Sequence, residues 1–182
     1  MRALWNRALG AAAIALISLG LAFPPAQAQA PAVTPLTALD YAEIQQLVNR
    51  LSFALDYCGN GGRDFADLFT ADGQYIIDQG DGKPRVTQGA EALAKIPGGP
   101  DCKAMLTPPR SYIAHISESL VIEASTEGAH GKAYAIYPAR NGKYLNADTA
   151  GQVGLYYDVY VKTAKGWRFK SRRHETQPQP VQ

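Results

Sequence analysis

Two side chains in this 182-residue sequence have the types and settings that proton-transfer chemistry asks for, His115 and Asp56. His115 stands in the run Tyr112-Ile113-Ala114-His115-Ile116-Ser117, whose alternation predicts a strand with Ile113, His115 and Ser117 on one side. A neutral imidazole there can remove a proton beside a carbonyl or assist a departing hydroxyl. A carboxylate beside it can hold the tautomer and stabilise the imidazolium. Asp56 is the best candidate for that carboxylate. It falls in the last turn of a predicted helix, where a negative charge opposes the helix dipole and ordinarily costs about 0.3 to 1 kcal/mol. A local rule broken without visible gain points to function. The plainer alternatives are an exposed Asp56 paired with Arg63 and a hydrogen-bonded core histidine at 115.

The elements that must position this pair follow from periodicity. Thr37 is a plausible N-cap, and Leu39 to Cys58 has helical period, with Ile44, Leu47, Val48, Leu51, Leu55 and Cys58 in one stripe and Asp56 on its flank. Gly59-Asn60-Gly61-Gly62 stops that helix. Asp64 is expected to cap a short helix, Phe65 to Phe69, and Ala71-Asp72-Gly73 to turn the chain into a strand from Gln74 to Asp78. Gly80-Asp81-Gly82 reads as a hairpin turn to an edge strand near Arg85 to Thr87, followed by a weak helix from Gly89 to Ile96. Pro97 to Pro109 is too rich in breakers for regular structure. Four antiparallel strands are then predicted, Ser111 to Ser125, Ala129 to Pro138, Gly151 to Thr163 and Trp167 to Glu175, with a polar loop from Ala139 to Ala150. In the third, Val153, Leu155, Tyr157, Val159 and Val161 alternate with Gly154, Tyr156, Asp158, Tyr160 and Lys162, with Tyr156 and Tyr160 read as exposed-side tyrosines that would fit an interface or a pocket equally well.

The chain's first 30 residues look like a secretory signal peptide: Arg2 and Arg7, an apolar run from Leu9 to Phe23, then Ala28-Gln29-Ala30. The run is shorter than the roughly 20 residues of a spanning helix. A periplasmic or secreted protein without a membrane anchor is therefore expected, comprising one domain over residues 31–175 and a disordered tail, 176–182. Excluding the signal peptide, sixteen basic residues face sixteen acidic ones, which argues against a general nucleic-acid or membrane-surface binder. Cys58 and Cys102 would meet an oxidising compartment and form either a disulfide or two buried thiols. His115, His130 and His174 lack the paired spacing of a metal site, and no phosphate-binding loop or nucleophile elbow occurs, so neither metal nor cofactor is expected. The run Lys162, Lys165, Arg168, Lys170, Arg172 and Arg173 could attract an anionic substrate or partner, but charges usually stay wet and it reads rather as the solvated side of the last hairpin.

Ala54-Leu55-Asp56-Tyr57, Phe65-Ala66-Asp67-Leu68-Phe69-Thr70-Ala71-Asp72-Gly73, His115, Gly154 to Asp158 and Thr163-Ala164-Lys165-Gly166-Trp167-Arg168-Phe169, in this order, resemble a SnoaL-like domain. That family lies in the nuclear transport factor 2-like superfamily, and the similarity is to its scytalone dehydratase and bile-acid dehydratase branch. The resemblance implies an α+β cone: a curved antiparallel sheet wrapped around N-terminal helices and enclosing an apolar pocket. It also implies that Asp56 and His115 form the catalytic pair, with Tyr75 and Tyr134 as the phenols to test as substrate-binding donors. The family's second histidine, on the following strand, has no counterpart, because His130 comes too early, and Leu55 rather than a tyrosine precedes Asp56. The function expected is a cofactor-independent, dehydratase-like lyase acting on a small hydrophobic cyclic or aromatic compound, in a homodimer or homotrimer. The alternatives are a non-catalytic ligand-binding or dimerisation module, or an isomerase or epoxide hydrolase of the same fold.

Overall fold

A computed structural model describes residues 32–98, 114–137 and 152–176. The predicted signal peptide, Cys102, Tyr112, Ile113, the two long loops and the tail beyond Thr176 lie outside the described residues.

Helix α1, Ala38–Tyr57, begins with a reciprocal cap. Thr37 Oγ1 accepts from the Asp40 amide at 3.2 Å, and the Asp40 carboxylate accepts from the Thr37 amide at 2.9 Å. The same carboxylate accepts from Lys162 Nζ at 2.7 Å and from Trp167 Nε1 at 3.0 Å, which ties the start of the helix to the last hairpin. Lys162 first, then Thr37 and Trp167, hold the Asp40 carboxyl well below the usual carboxylate range. The helix ends at Cys58 in the left-handed conformation, φ 52°. Cys58 is disulfide-bonded, so of the two alternatives for the cysteines the free-thiol one fails.

The expected stripe is buried: Ile44, Leu47, Val48, Leu51 and Leu55 pack with Phe65, Phe69, Tyr160, Trp167 and Phe169. Helix α2, Arg63–Ala66, is shorter than expected and is preceded by Gly62 rather than capped by Asp64. Gly62 has φ 83°, and a Cβ there would lie 1.9 Å from the Ala94 carbonyl oxygen, so only glycine fits the approach to α3, Ala90–Leu93.

The strands are β1 (Phe69–Asp78), β2 (Arg85–Gln88), β3 (Ile116–Ala124), β4 (Ala129–Tyr137), β5 (Gln152–Thr163) and β6 (Gly166–Glu175). They form one curved, unclosed sheet in the order β2-β1-β6-β5-β4-β3. All neighbouring pairs are antiparallel except β1 and β6, which run parallel, a pairing that the strand alternation did not reveal. The turn expected at Ala71-Asp72-Gly73 is instead an irregularity within β1, between the pairs Phe69–Phe169 and Gln74–Ser171.

Lys170 is the residue that decides which side chains of β6 face the helices. Val159 pairs with Ser171 and Tyr160 with Phe169, so Lys170 is an extra residue, a β-bulge. Trp167 and Phe169 point inward before it, and Arg172 and His174 point inward after it. Two sequence expectations are corrected here. Arg172 is fully buried rather than solvated, and Tyr156 and Tyr160 belong to the interior rather than to the exposed side. The inner face of β4 carries Ala129, Gly131, Ala133 and Ala135, and a Cβ at Gly131 would lie 2.6 Å from the Tyr160 ring. Small residues on one strand make room for large ones on the next.

Leu51, 1% exposed at the centre of the stripe, should be among the residues least tolerant of truncation. Leu51→Ala is expected to cost about 2 to 5 kcal/mol in urea unfolding; a loss below about 1 kcal/mol would show that α1 is not part of the cooperative core.

Candidate functional site

The end of α1 and the chain entering β3 meet at Asp56 and His115. Asp56 Oδ1 lies 2.5 Å from His115 Nδ1, and the two carboxylate oxygens accept from the His115 main-chain amide at 3.3 and 3.0 Å. His115 precedes the ladder, whose first pair is Ile116 with Ile136, so its amide is available to the carboxylate. One acid thus fixes both the backbone and the ring of a residue 59 positions away. The side chains are 22% and 17% exposed, so the pair borders solvent without being immersed in it. Arg63, the alternative partner of Asp56, is engaged by Glu91 at 2.6 Å. With Nδ1–H donating to the carboxylate, a neutral His115 presents Nε2 with its lone pair.

Beyond His115, the interior of the sheet is polar where its aromatic rings end. Asp158 accepts from Arg172 Nε and Nη2, both at 2.8 Å, and from the Tyr160 hydroxyl at 2.6 Å. Neither charged side chain has any exposure. Burial works against the Arg172 charge, but Asp158 more than offsets it and raises the guanidinium pKa further. The guanidinium lies 4.1 Å from the Tyr156 ring centroid and 4.8 Å from that of Phe169.

Of the two predicted phenols, Tyr75 is buried, packs edge-on against Phe65 at 5.7 Å and lies near Tyr156. Burial, and then the proximity of Tyr156, pushes its hydroxyl pKa well up, so it stays protonated as a donor. It belongs with the Asp158–Arg172 cluster. Tyr134 does not join the site: it is 52% exposed, because β4 turns Ala133 and Ala135 inward and Tyr134 outward.

Sequence reasoning missed His174 and Arg172 as interior residues. His174 is buried, its ring 5.1 Å from that of Tyr156, and the missing Cβ of Gly154 leaves space for its Nε2, which would otherwise be 2.8 Å away. Burial, then the proximity of His115 and Arg172, pushes its pKa down to about 4. His174 is therefore a neutral imidazole near His115. The signal that could have found it is Gly154, a glycine inside a strand, which marks a close approach.

Among the described residues no three His, Cys, Asp or Glu side chains gather as a metal site. An open groove of about 340 Å³ between α1 and the β5–β6 turn, bordered by Glu43, Arg50, Asp67, Lys165 and Arg168, holds neither histidine. Its mixed charges suit water rather than an apolar compound, and it is separate from the Asp56–His115 pair.

A family model described as a SnoaL-like domain matches residues 36–173. No curated protein shows significant similarity to the sequence. Among solved structures, a protein from Novosphingobium aromaticivorans described as NTF2-like with a cystatin-like fold is 18% identical, with a TM-score of 0.61 over 79% of this chain and 85% of that one. A Mycobacterium tuberculosis protein of unknown function is 22% identical, with a TM-score of 0.60 over 78% and 74%. A second Novosphingobium aromaticivorans protein, provisionally named a scytalone dehydratase, is 19% identical, with a TM-score of 0.56 over 77% and 85%. At these identities the likeness concerns the fold.

The His174 environment has a pH consequence. Between pH 6.5 and about 4 the unfolded chain binds a proton at this residue and the folded one does not. The stability from a neutral His174 is therefore complete above pH 6.5 and lost as pH falls toward 4, by about 3 kcal/mol. Urea unfolding across this range should show that loss, and His174→Gln should flatten it; equal slopes in the two proteins would refute the assignment.

Proposed function

The chain belongs to the SnoaL-like domain family, and from that premise we propose that it is a cofactor-independent lyase, dehydratase-like, acting on a small hydrophobic cyclic or aromatic compound. The observation that carries this reading is the Asp56–His115 pair, in which the carboxylate holds both the ring nitrogen and the amide of the histidine. Such a base is oriented before substrate arrives. In a β-hydroxy carbonyl compound, His115 Nε2 takes the proton from the carbon beside the carbonyl. The C–H electron pair becomes the double bond of an enolate, with the charge on the carbonyl oxygen. As the enolate collapses, the β C–O bond breaks, and the proton on His115 leaves with the hydroxyl as water. Asp56 stabilises the imidazolium in between. The provisional dehydratase name of one structural neighbour agrees with this chemistry.

The reading is tested with a panel of cyclic β-hydroxy ketones, following the absorbance of the conjugated enone. His115→Ala and Asp56→Asn should each lower kcat by about 10²- to 10⁴-fold on any compound turned over. In parallel, ¹⁵N NMR of the neutral wild-type protein should show His115 protonated at Nδ1, and Asp56→Asn should erase that preference. Turnover untouched by either substitution, or an Nε2-protonated His115, would end the proposal.

The N-terminal run and the outer sheet face support two further parts of it: export with removal of residues 1–30, and assembly as a homodimer or homotrimer. Val121, Tyr134 and Val153, 57%, 52% and 53% exposed, give that outer face an apolar character. Expression in a bacterium should yield a periplasmic or secreted chain beginning at Pro31, whose mass by light scattering is two or three times that of one chain. Retention of Met1 would refute export, and a monomer would refute assembly.

A further inference from the structure

Arg172 combines full burial, a fixed plane and one unpartnered end. Nε and Nη2 are committed to Asp158, and the Tyr156 and Phe169 rings lie against the guanidinium. Nη1, with two N–H donors, is buried and has no hydrogen-bond partner. A buried donor without an acceptor is costly, and native structures satisfy nearly all of them. A second unpartnered polar atom faces the same interior. Ser117 Oγ is buried without a partner, on the residue paired with inward-facing Ala135 and two positions after His115. Between β3 and β6 the inner face carries Ala133, Ala135 and Gly154, with the Tyr156 ring packed on the two alanines. Small residues and one aromatic ring thus separate two unused polar groups, one near His115 and one beside His174.

We propose that the guanidinium Nη1 of Arg172 holds the carbonyl oxygen of a neutral ligand lying across this face, and receives the negative charge that develops on that oxygen. This rests on the lyase reading and names its substrate class. Charge decides between a carbonyl and a carboxylate. Among the described residues named here, Asp158 neutralises Arg172, and His174 and the tyrosines are uncharged, so the carboxylate of Asp56 leaves one net negative charge when His115 is neutral. A carboxylate ligand would add a second. A neutral carbonyl compound adds none, and proton transfer to His115 creates a positive charge beside Asp56 together with a negative one at Arg172. Donors fixed in place where charge develops are the most effective kind. Arg172 is a donor of that sort, because Asp158 and the two rings set its plane before any ligand binds.

The test uses three probes of similar shape on the full-length exported protein: 2-tetralone, tetralin and 2-naphthoate. Binding is followed by the side-chain ¹H–¹⁵N signals of Arg172, assigned by their loss in Arg172→Lys, and by the carbonyl stretch of the ketone. The expected result is 2-tetralone binding about tenfold or more tightly than tetralin, with the carbonyl stretch moved to lower frequency and the Nη1 signals displaced. Equal binding of ketone and hydrocarbon, Nη1 signals unmoved at saturation, or no binding of either probe would overturn it. Preference for 2-naphthoate would also overturn it, by making the site one for carboxylates. Because Arg172→Lys leaves Asp158 buried beside a poorer partner and can fail to fold, the wild-type NMR and infrared results decide. Repeating the titration in His115→Ala separates the two readings: a ketone preference that persists there supports the anchor whatever becomes of the lyase, and its loss there would show that His115, not Arg172, recognises the oxygen.

Discussion

The ion pair between Asp158 and Arg172 is the interaction on which the interior of this protein depends. Removing two charges from water costs several kcal/mol each, and mutual attraction offsets that cost only when the geometry is good and the remaining polar atoms are bonded. Here the carboxylate accepts two nitrogens of one guanidinium and a tyrosine hydroxyl, and the guanidinium stacks against two rings. The sheet is shaped around that arrangement. From Ala129 to Ala135 β4 offers glycine and alanine to the inside, β5 supplies the rings and the acid, and the bulge at Lys170 turns Arg172 and His174 toward them. An apolar core of equal volume would be as stable or more so. What the polar one provides is a fixed donor and a neutral imidazole inside a low-dielectric space.

Helix α1 connects this interior to the Asp56–His115 pair through two aspartates with opposite relations to its dipole. Asp40, in the first turn, agrees with the dipole and is further bonded by Lys162 and Trp167, so it anchors the helix to the β5–β6 hairpin. Asp56, in the last turn, opposes the dipole and is satisfied by donors from outside the helix, the amide and ring of His115. Stabilisation at one end permits an unfavourable charge at the other. Asp40 sets where the helix starts, and the buried stripe sets its rotation. Together these bring the Asp56 carboxylate to the mouth of the sheet.

Much of this was legible in the sequence because it rests on local periodicity. The stripe from Ile44 to Leu55, the cap at Thr37 and the strands of the C-terminal half follow from spacing, while the family resemblance supplied the cone and the expectation that Asp56 and His115 meet. What was illegible depends on non-local register. Alternation through β6 without a bulge puts Arg172 on the side of Lys170, and a basic run then reads as solvated. One extra residue inverts every later assignment. The same limit applies to β5, where two rows of side chains alternate but periodicity alone does not say which row meets the helices. The apolar row, Val153 to Val161, looks like the core, yet the row with Tyr156, Asp158 and Tyr160 is the one buried. Tyr134 was misassigned for a related reason: its inward neighbours, Ala133 and Ala135, are too small to announce a core face.

The two histidines of the interior show how the same side chain is given different work by its surroundings. His174 has burial and cationic neighbours against its charge, and its only space is the one Gly154 leaves. His115 has a carboxylate at Nδ1 and a path to solvent. At His115 an acid, Asp56, stands ready to balance a proton on the ring. The difference between the two rings thus comes from Asp56, Gly154 and Arg172 rather than from the histidines themselves. The bulge that places Arg172 inside places His174 beside it, so a single irregularity in one strand fixes both the donor and the neutral neighbour.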